Sequence, residues 1–129
     1  MKVRREITVD ASPDVVWDAL TEPGLLSEWA ASEVELDLDE GTGVFRYEDG
    51  EERPAVIETV EEPERLAFRW RREGGEESRV EFVLEPAVSG TRLVVVESGL
   101  GGAPTAAAAA DWAVRLELLA RHIARLVFA

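Results

Sequence analysis

The chain has 129 residues, enough for one domain (residues 1–129) whose core folds without staples, and it has no cysteine, so disulfides, a thiolate nucleophile and cysteine-ligated metal are excluded. Its 27 acidic and 14 basic side chains give a formal net charge of −13, which repels phosphate backbones and argues against a nucleic-acid partner. Arginines do cluster at Arg69, Arg71 and Arg72, but Glu73, Glu76 and Glu77 interrupt any basic stripe.

The start, Met1 to Glu6, alternates at once and lacks the apolar core of a signal peptide, and no apolar stretch approaches membrane-spanning length. A cytoplasmic protein without membrane insertion is expected. Val3 to Val9 reads as a strand that runs into a helix over Pro13 to Leu20. Ser12 is placed to cap its first amides, Pro13 suits the first helical position, and Val16, Trp17 and Leu20 share one side. Pro23 and Gly24 interrupt this helix, after which Leu25, Leu26 and Trp29 form a second short helical face.

Val34, Leu36 and Leu38 alternate with Glu35, Asp37 and Asp39, the pattern of a half-buried strand. Gly41 and Gly43 lead into a strand over Val44 to Glu48, and Asp49-Gly50 is a hairpin signal. Ala55 to Val60 and Leu66 to Trp70 pair around Glu62-Pro63-Glu64, with Leu66, Phe68 and Trp70 on one face. Gly74-Gly75 then turns into Arg79 to Glu85, whose Val80, Phe82 and Leu84 point inward, and Ser89-Gly90 into Thr91 to Ser98. Links this short imply an antiparallel sheet of about six or seven strands, because parallel neighbours need long crossovers.

Gly99 to Pro104 is a loop before the last helix. Thr105 is placed to cap that helix, Ala106 to Ala110 favour it, and Trp112, Leu116, Leu119, Ile123 and Leu126 repeat at the helical period. An α+β fold with the sheet wrapped on this long C-terminal helix is the simplest arrangement.

Candidate chemistry is sparse. Glu58, Glu81, Glu85 and Glu97 read as solvated carboxylates on the sheet face, since nothing in the pattern raises their proton affinity. His122 falls nearer Arg115 and Arg125 than the apolar stripe, so a solvent-facing or boundary position is expected. With one histidine and no cysteine, neither a metal site nor a cofactor is expected. Asp37, Asp39 and Glu40 lack the spacing of a calcium loop, and Gly99 to Gly102 lacks that of a phosphate loop. The feature that carries function is the set Trp29, Trp70, Phe82 and Trp112 with Leu116 and Leu119, which either packs the core or lines a cavity for an apolar molecule.

Several separated segments together resemble the Aha1-like branch of the START-related helix-grip (SRPBCC) superfamily. They are Ala11 to Thr21, Leu26 to Trp29, Val60 to Trp70, Val80 to Pro86, Gly90 to Leu93, and Trp112 at the head of the helical stripe. The chain departs from the family's pattern at Asp111, where a glycine commonly precedes the tryptophan, and near Arg53-Pro54, where a glycine commonly opens the strand.

The resemblance implies a helix-grip fold: a curved antiparallel sheet gripping the C-terminal helix, two short helices after the first strand, and an internal cavity. It implies a non-enzymatic START-like domain whose partner is a small hydrophobic or aromatic molecule. A protein-interaction or stress-related, co-chaperone-like module with a protein partner is one alternative, and a polyketide cyclase/aromatase-like enzyme is the other. The longer eukaryotic activator also has a separate N-terminal Hsp90-binding domain, for which these 129 residues leave no room, so direct Hsp90 activation is not the expectation.

Overall fold

The computed structural model of the chain describes residues 2–72, 75, 77–99 and 105–128. Strand β1 (Lys2–Val9) leads into helix α1 (Pro13–Thr21) and the single turn α2 (Pro23–Leu26). Six strands follow, β2 (Glu33–Asp37), β3 (Thr42–Arg46), β4 (Glu52–Glu61), β5 (Arg65–Arg71), β6 (Glu77–Ala87) and β7 (Gly90–Ser98), and then the long helix α3 (Thr105–Phe128). Every pairing is antiparallel, and the order across the sheet is β1-β7-β6-β5-β4-β3-β2. Hairpins therefore build the sheet from β2 to β7, and β1 joins at the far edge beside the last strand. This is the helix-grip fold.

Period-two alternation selects the inner face. Leu66, Phe68 and Trp70 of β5, Val80, Phe82 and Leu84 of β6, and Leu93 and Val95 of β7 are all buried. Against them α3 lays Ala108, Trp112, Leu116, Leu119 and Ile123, three or four residues apart. The stripe stops there, because Leu126, expected to continue it, is 49% exposed. The outer face carries ion pairs instead: Glu58 accepts from Arg69 at 2.7 Å and from Arg79 at 2.8 Å, and Glu85 accepts from Arg92.

Two local expectations need correction. Ser12 does precede α1, but its side chain makes no capping hydrogen bond; only its carbonyl joins the helix, accepting from the Val16 amide at 3.2 Å. Pro13 at the first turn removes one orphan donor, so the helix starts without that cap. His122 is buried, and its Nε2 has no partner among the described residues. The reason is helical spacing: His122 lies three residues beyond Leu119, beside Ile123, and so falls inside the apolar stripe. Most of the Gly99 to Pro104 loop, Gly74 and the proposed Thr105 cap lie outside the described residues.

The chain crosses itself closely where β7 begins. Thr91 donates to the Ala11 carbonyl at 2.8 Å, and a Cβ on Gly90 would strike the backbone carbonyl of Val9. Neither backbone can yield without breaking the β1–β7 pairing of Val9 with Thr91. Gly90→Ala is expected to destabilise the fold by about 2 to 3 kcal/mol, at the upper end of overpacking costs, as read from urea unfolding. An unchanged midpoint would show that the crossing is looser than it stands here.

Candidate functional site

The inward rows of β5 and β6 and the buried stripe of α3 leave a hollow closed on its third side by the α2 segment. Four of the six expected site residues meet there in one chain of ring contacts. Trp29 meets Phe82 edge to face at 6.2 Å, Phe82 meets Trp112 edge to face at 5.7 Å, and Trp112 stacks on Trp70 at 6.0 Å. Phe45 and Phe68 extend the same wall beside Trp70. Leu116 and Leu119 are buried farther along α3, in the core and not among the walls of the hollow. The residues of α3 that turn toward it are Asp111, Trp112 and Arg115.

Trp29 lies in the turn after α2, and its indole N–H donates to the Ala19 carbonyl of α1 at 2.8 Å. That bond pins the α2 segment, with Leu26 and Ala30, against the opening of the hollow. Space inside is small. The hollow and its mouth span about 430 Å3 free of protein atoms, but only about 20 Å3 admits the centre of a water-sized sphere. The second figure decides what fits as the chain stands: about one water.

Behind the aromatic wall sits Glu97, which sequence reading places on the solvated face and the structure buries completely. It accepts from Trp70 Nε1 at 3.0 Å, Ser78 Oγ at 2.6 Å, Trp112 Nε1 at 2.9 Å and an Arg72 nitrogen at 2.7 Å. Both stacked indoles thus donate to one carboxylate, which fixes their planes. Burial alone would raise the proton affinity of Glu97, but the bonds from Ser78, Trp70 and Trp112 and the charge of Arg72 together hold its pKa below the usual carboxylate value. The missed signal is the alternation in β7: Glu97 continues the inward row of Thr91, Leu93 and Val95.

The mouth is polar. Arg53, on the inward row of β4 with Ala55, is 7% exposed, and its guanidinium lies 4.5 Å from the Tyr47 ring centre and 4.6 Å from that of Trp70. Glu51 accepts from its Nη2 at 2.9 Å. Burial opposes the charge of Arg53, yet Glu51 and its other neighbours raise its pKa further. Arg115 lies 5.1 Å from the same Tyr47 ring, and burial, working against both arginines, raises the pKa of Tyr47. Beyond them a solvent-open groove is walled by Trp29, Tyr47, Asp49, Arg115 and Leu118.

Among the described residues no group of three or more His, Cys, Asp or Glu side chains is placed to hold a metal ion. No helix among them is long and apolar enough to cross a membrane.

Comparison with known proteins agrees with this architecture. No curated protein matches the chain. Among solved structures it is similar to DynU16, a protein of the dynemicin biosynthetic locus, at 29% identity and a TM-score of 0.85 over 95% of this chain. The match covers 46% of DynU16, so the chain spans about half of that protein's length. CalU16 from Micromonospora echinospora is 27% identical with a TM-score of 0.77, over 95% of this chain and 83% of that one. MLL2253 from Mesorhizobium loti is 23% identical with a TM-score of 0.88, over 97% and 98% of the two chains, and shows the fold alone. Residues 10–124 match the family model described as activator of Hsp90 ATPase homolog 1-like protein, a span that takes in β2 to β7 and most of α3, and the chain belongs to that family.

Proposed function

We propose that this domain binds a small hydrophobic or aromatic molecule in the hollow between the sheet and α3, and that it does so without chemical conversion. The observation that carries this reading is the continuous wall of Trp29, Phe82, Trp112 and Trp70 ending at a polar, solvent-connected mouth. A general acid working near neutrality needs a raised pKa, whereas Glu97 has a lowered one and four donors already satisfying it. The remaining polar wall groups, Tyr47, Asp111 and Arg115, stand together at one end, which suits orientation of a ligand.

Entry of a ring requires a wall to move, because the free space is water-sized. The α2 segment is a short wall outside the sheet that packs chiefly on α1 and β2, and an outward shift of it would enlarge the hollow. A neutral fluorescent apolar probe is expected to bind saturably, and Ala30→Phe, which fills the hollow from that wall, is expected to weaken it at least about tenfold. Unfolding curves run beside the titration separate filling from overpacking, which costs about 1 to 3 kcal/mol.

The near-filled interior also favours a second reading, an interaction module whose partner is a protein, in keeping with the family's name. The same titration decides between them. Folded wild-type chain that binds no probe removes the cavity reading and leaves the protein partner.

A further inference from the structure

In a chain whose net charge is −13, the Arg115 guanidinium stands at the mouth of the aromatic hollow and that of Arg53 packs on its Tyr47 and Trp70 walls, and each has a buried N–H without a hydrogen-bond partner among the described residues. Arg53 is more than nine-tenths buried. Glu51 satisfies its Nη2, while its Nε and Nη1 have no hydrogen-bond partner among the described residues. Arg115 belongs to the walls of both the hollow and the outer groove, so it stands where one opens into the other. Its Nε is buried and has no hydrogen-bond partner among the described residues; it lies 3.5 Å from an Asp111 oxygen, an ion pair too long for the short charge-assisted bond that a guanidinium makes with a well-placed carboxylate.

Buried N–H groups without acceptors are costly, and their cost falls when an acceptor arrives. The missing partner is an acceptor-only group, and the planar fork of arginine matches a carboxylate better than a hydroxyl or an amide, which bring donors of their own. Tyr47, placed against both guanidiniums, keeps them at the aromatic wall, Arg53 buried and Arg115 part-buried, where a charge pair is screened less than in open water. Neither Arg53 nor Arg115 touches Glu97, whose donors are Arg72, Ser78 and the two indoles, so their unmet demand is separate from the bonds that hold the wall.

We infer that the molecule taken into the hollow is an aromatic carboxylate, its ring against Trp70 and Trp112 and its carboxylate at Arg115, with the charge of Arg53 behind the Tyr47 wall on the same side. This rests on the cavity reading above and adds the charge of the ligand to it.

The test uses two probes with the same ring body, naphthoate and naphthamide, titrated against the full chain. Wild type is expected to bind naphthoate at least about tenfold more tightly than naphthamide. Arg115→Gln, at a half-buried helix position that tolerates a polar side chain, is expected to weaken naphthoate far more than naphthamide and so to abolish that preference. An unfolding curve run beside the titration certifies that the variant is folded. Ala30→Phe is expected to weaken both probes together. Equal binding of the two probes by wild type, or an undiminished preference in Arg115→Gln, overturns the carboxylate inference and leaves the cavity standing. Naphthoate binding that Ala30→Phe leaves undiminished places the anion elsewhere on the surface and overturns it as well. Binding of neither probe overturns the cavity reading, and the inference falls with it.

Discussion

Glu97→Ala is expected to lower the unfolding free energy by about 3 to 5 kcal/mol, the loss typical of removing one partner from a buried charge cluster. Truncation leaves the Trp112 indole N–H and the Ser78 hydroxyl facing an apolar void and the Trp70 N–H with only its 3.1 Å bond to Ser78 Oγ, while Arg72, with 20% of its side chain exposed, can turn to water. Denaturant titration checks the magnitude. A loss under about 1 kcal/mol would mean that the indoles and hydroxyl find other acceptors. Glu97→Gln separates charge from shape, because both carboxylate oxygens accept: one from Arg72 and Trp112, the other from Trp70 and Ser78. Whichever way the amide turns, its NH2 faces at least one N–H donor, so Gln is expected to be clearly destabilising despite its fit.

The same residue gives stability a pH dependence whose sign is fixed. The folded-state pKa of Glu97 lies below the usual carboxylate value, so the folded chain holds the deprotonated form more strongly than the unfolded chain does. Its contribution is fully present above the ordinary carboxylate range and is lost as the pH falls through that range toward the folded-state value. Wild type is therefore expected to lose stability on acidification more steeply than Glu97→Gln, and the difference between the two isolates this one group from the many surface carboxylates. Parallel acid profiles would remove Glu97 as the source.

Much of the architecture was legible because the apolar residues keep strict periods. Phe82 and Trp70 sit on period-two rows and Trp112 on a helical stripe, and each lands on the inner face where the pattern points. The polar part of the site was not legible, for a physical reason. Glu97, Arg53 and His122 occupy inward positions of otherwise regular patterns, and a charged or polar residue in an inward slot is ordinarily evidence that the slot faces water. Only three-dimensional pairing shows otherwise: the acceptor in β7 is buried because indoles from β5 and α3 reach it, and the cation in β4 because Tyr47 and Trp70 enclose it. Of the two places where the chain departs from the family resemblance, Asp111 lines the hollow and Arg53 packs on its Tyr47 and Trp70 walls, so the deviations were visible before their meaning was.

Trp17→Ala is expected to cost about 3 to 5 kcal/mol, the range for truncating a large buried aromatic, because Trp17 is 3% exposed and holds α1 to the body of the fold. The helix has little else with which to hold itself. It spans nine residues, too few for stability in isolation, and depends on packing through Val16, Trp17 and Leu20 against α2, α3, β6 and β7. Its loosening reaches the hollow by two routes. Leu20 is one of the walls, and the Ala19 carbonyl is the acceptor that pins Trp29 and the α2 segment. Trp17→Ala should therefore weaken apolar-probe binding under conditions where the variant remains folded, whereas Trp17→Phe, which keeps most of the buried area, should largely preserve both stability and binding. A stability loss below about 1 kcal/mol with unchanged structure would show that α1 is anchored by its aliphatic residues alone. Full loss of stability with unaltered probe affinity would instead show that Trp29 stays seated without a firmly docked α1, and would separate the wall of the hollow from the helix that this structure makes its support.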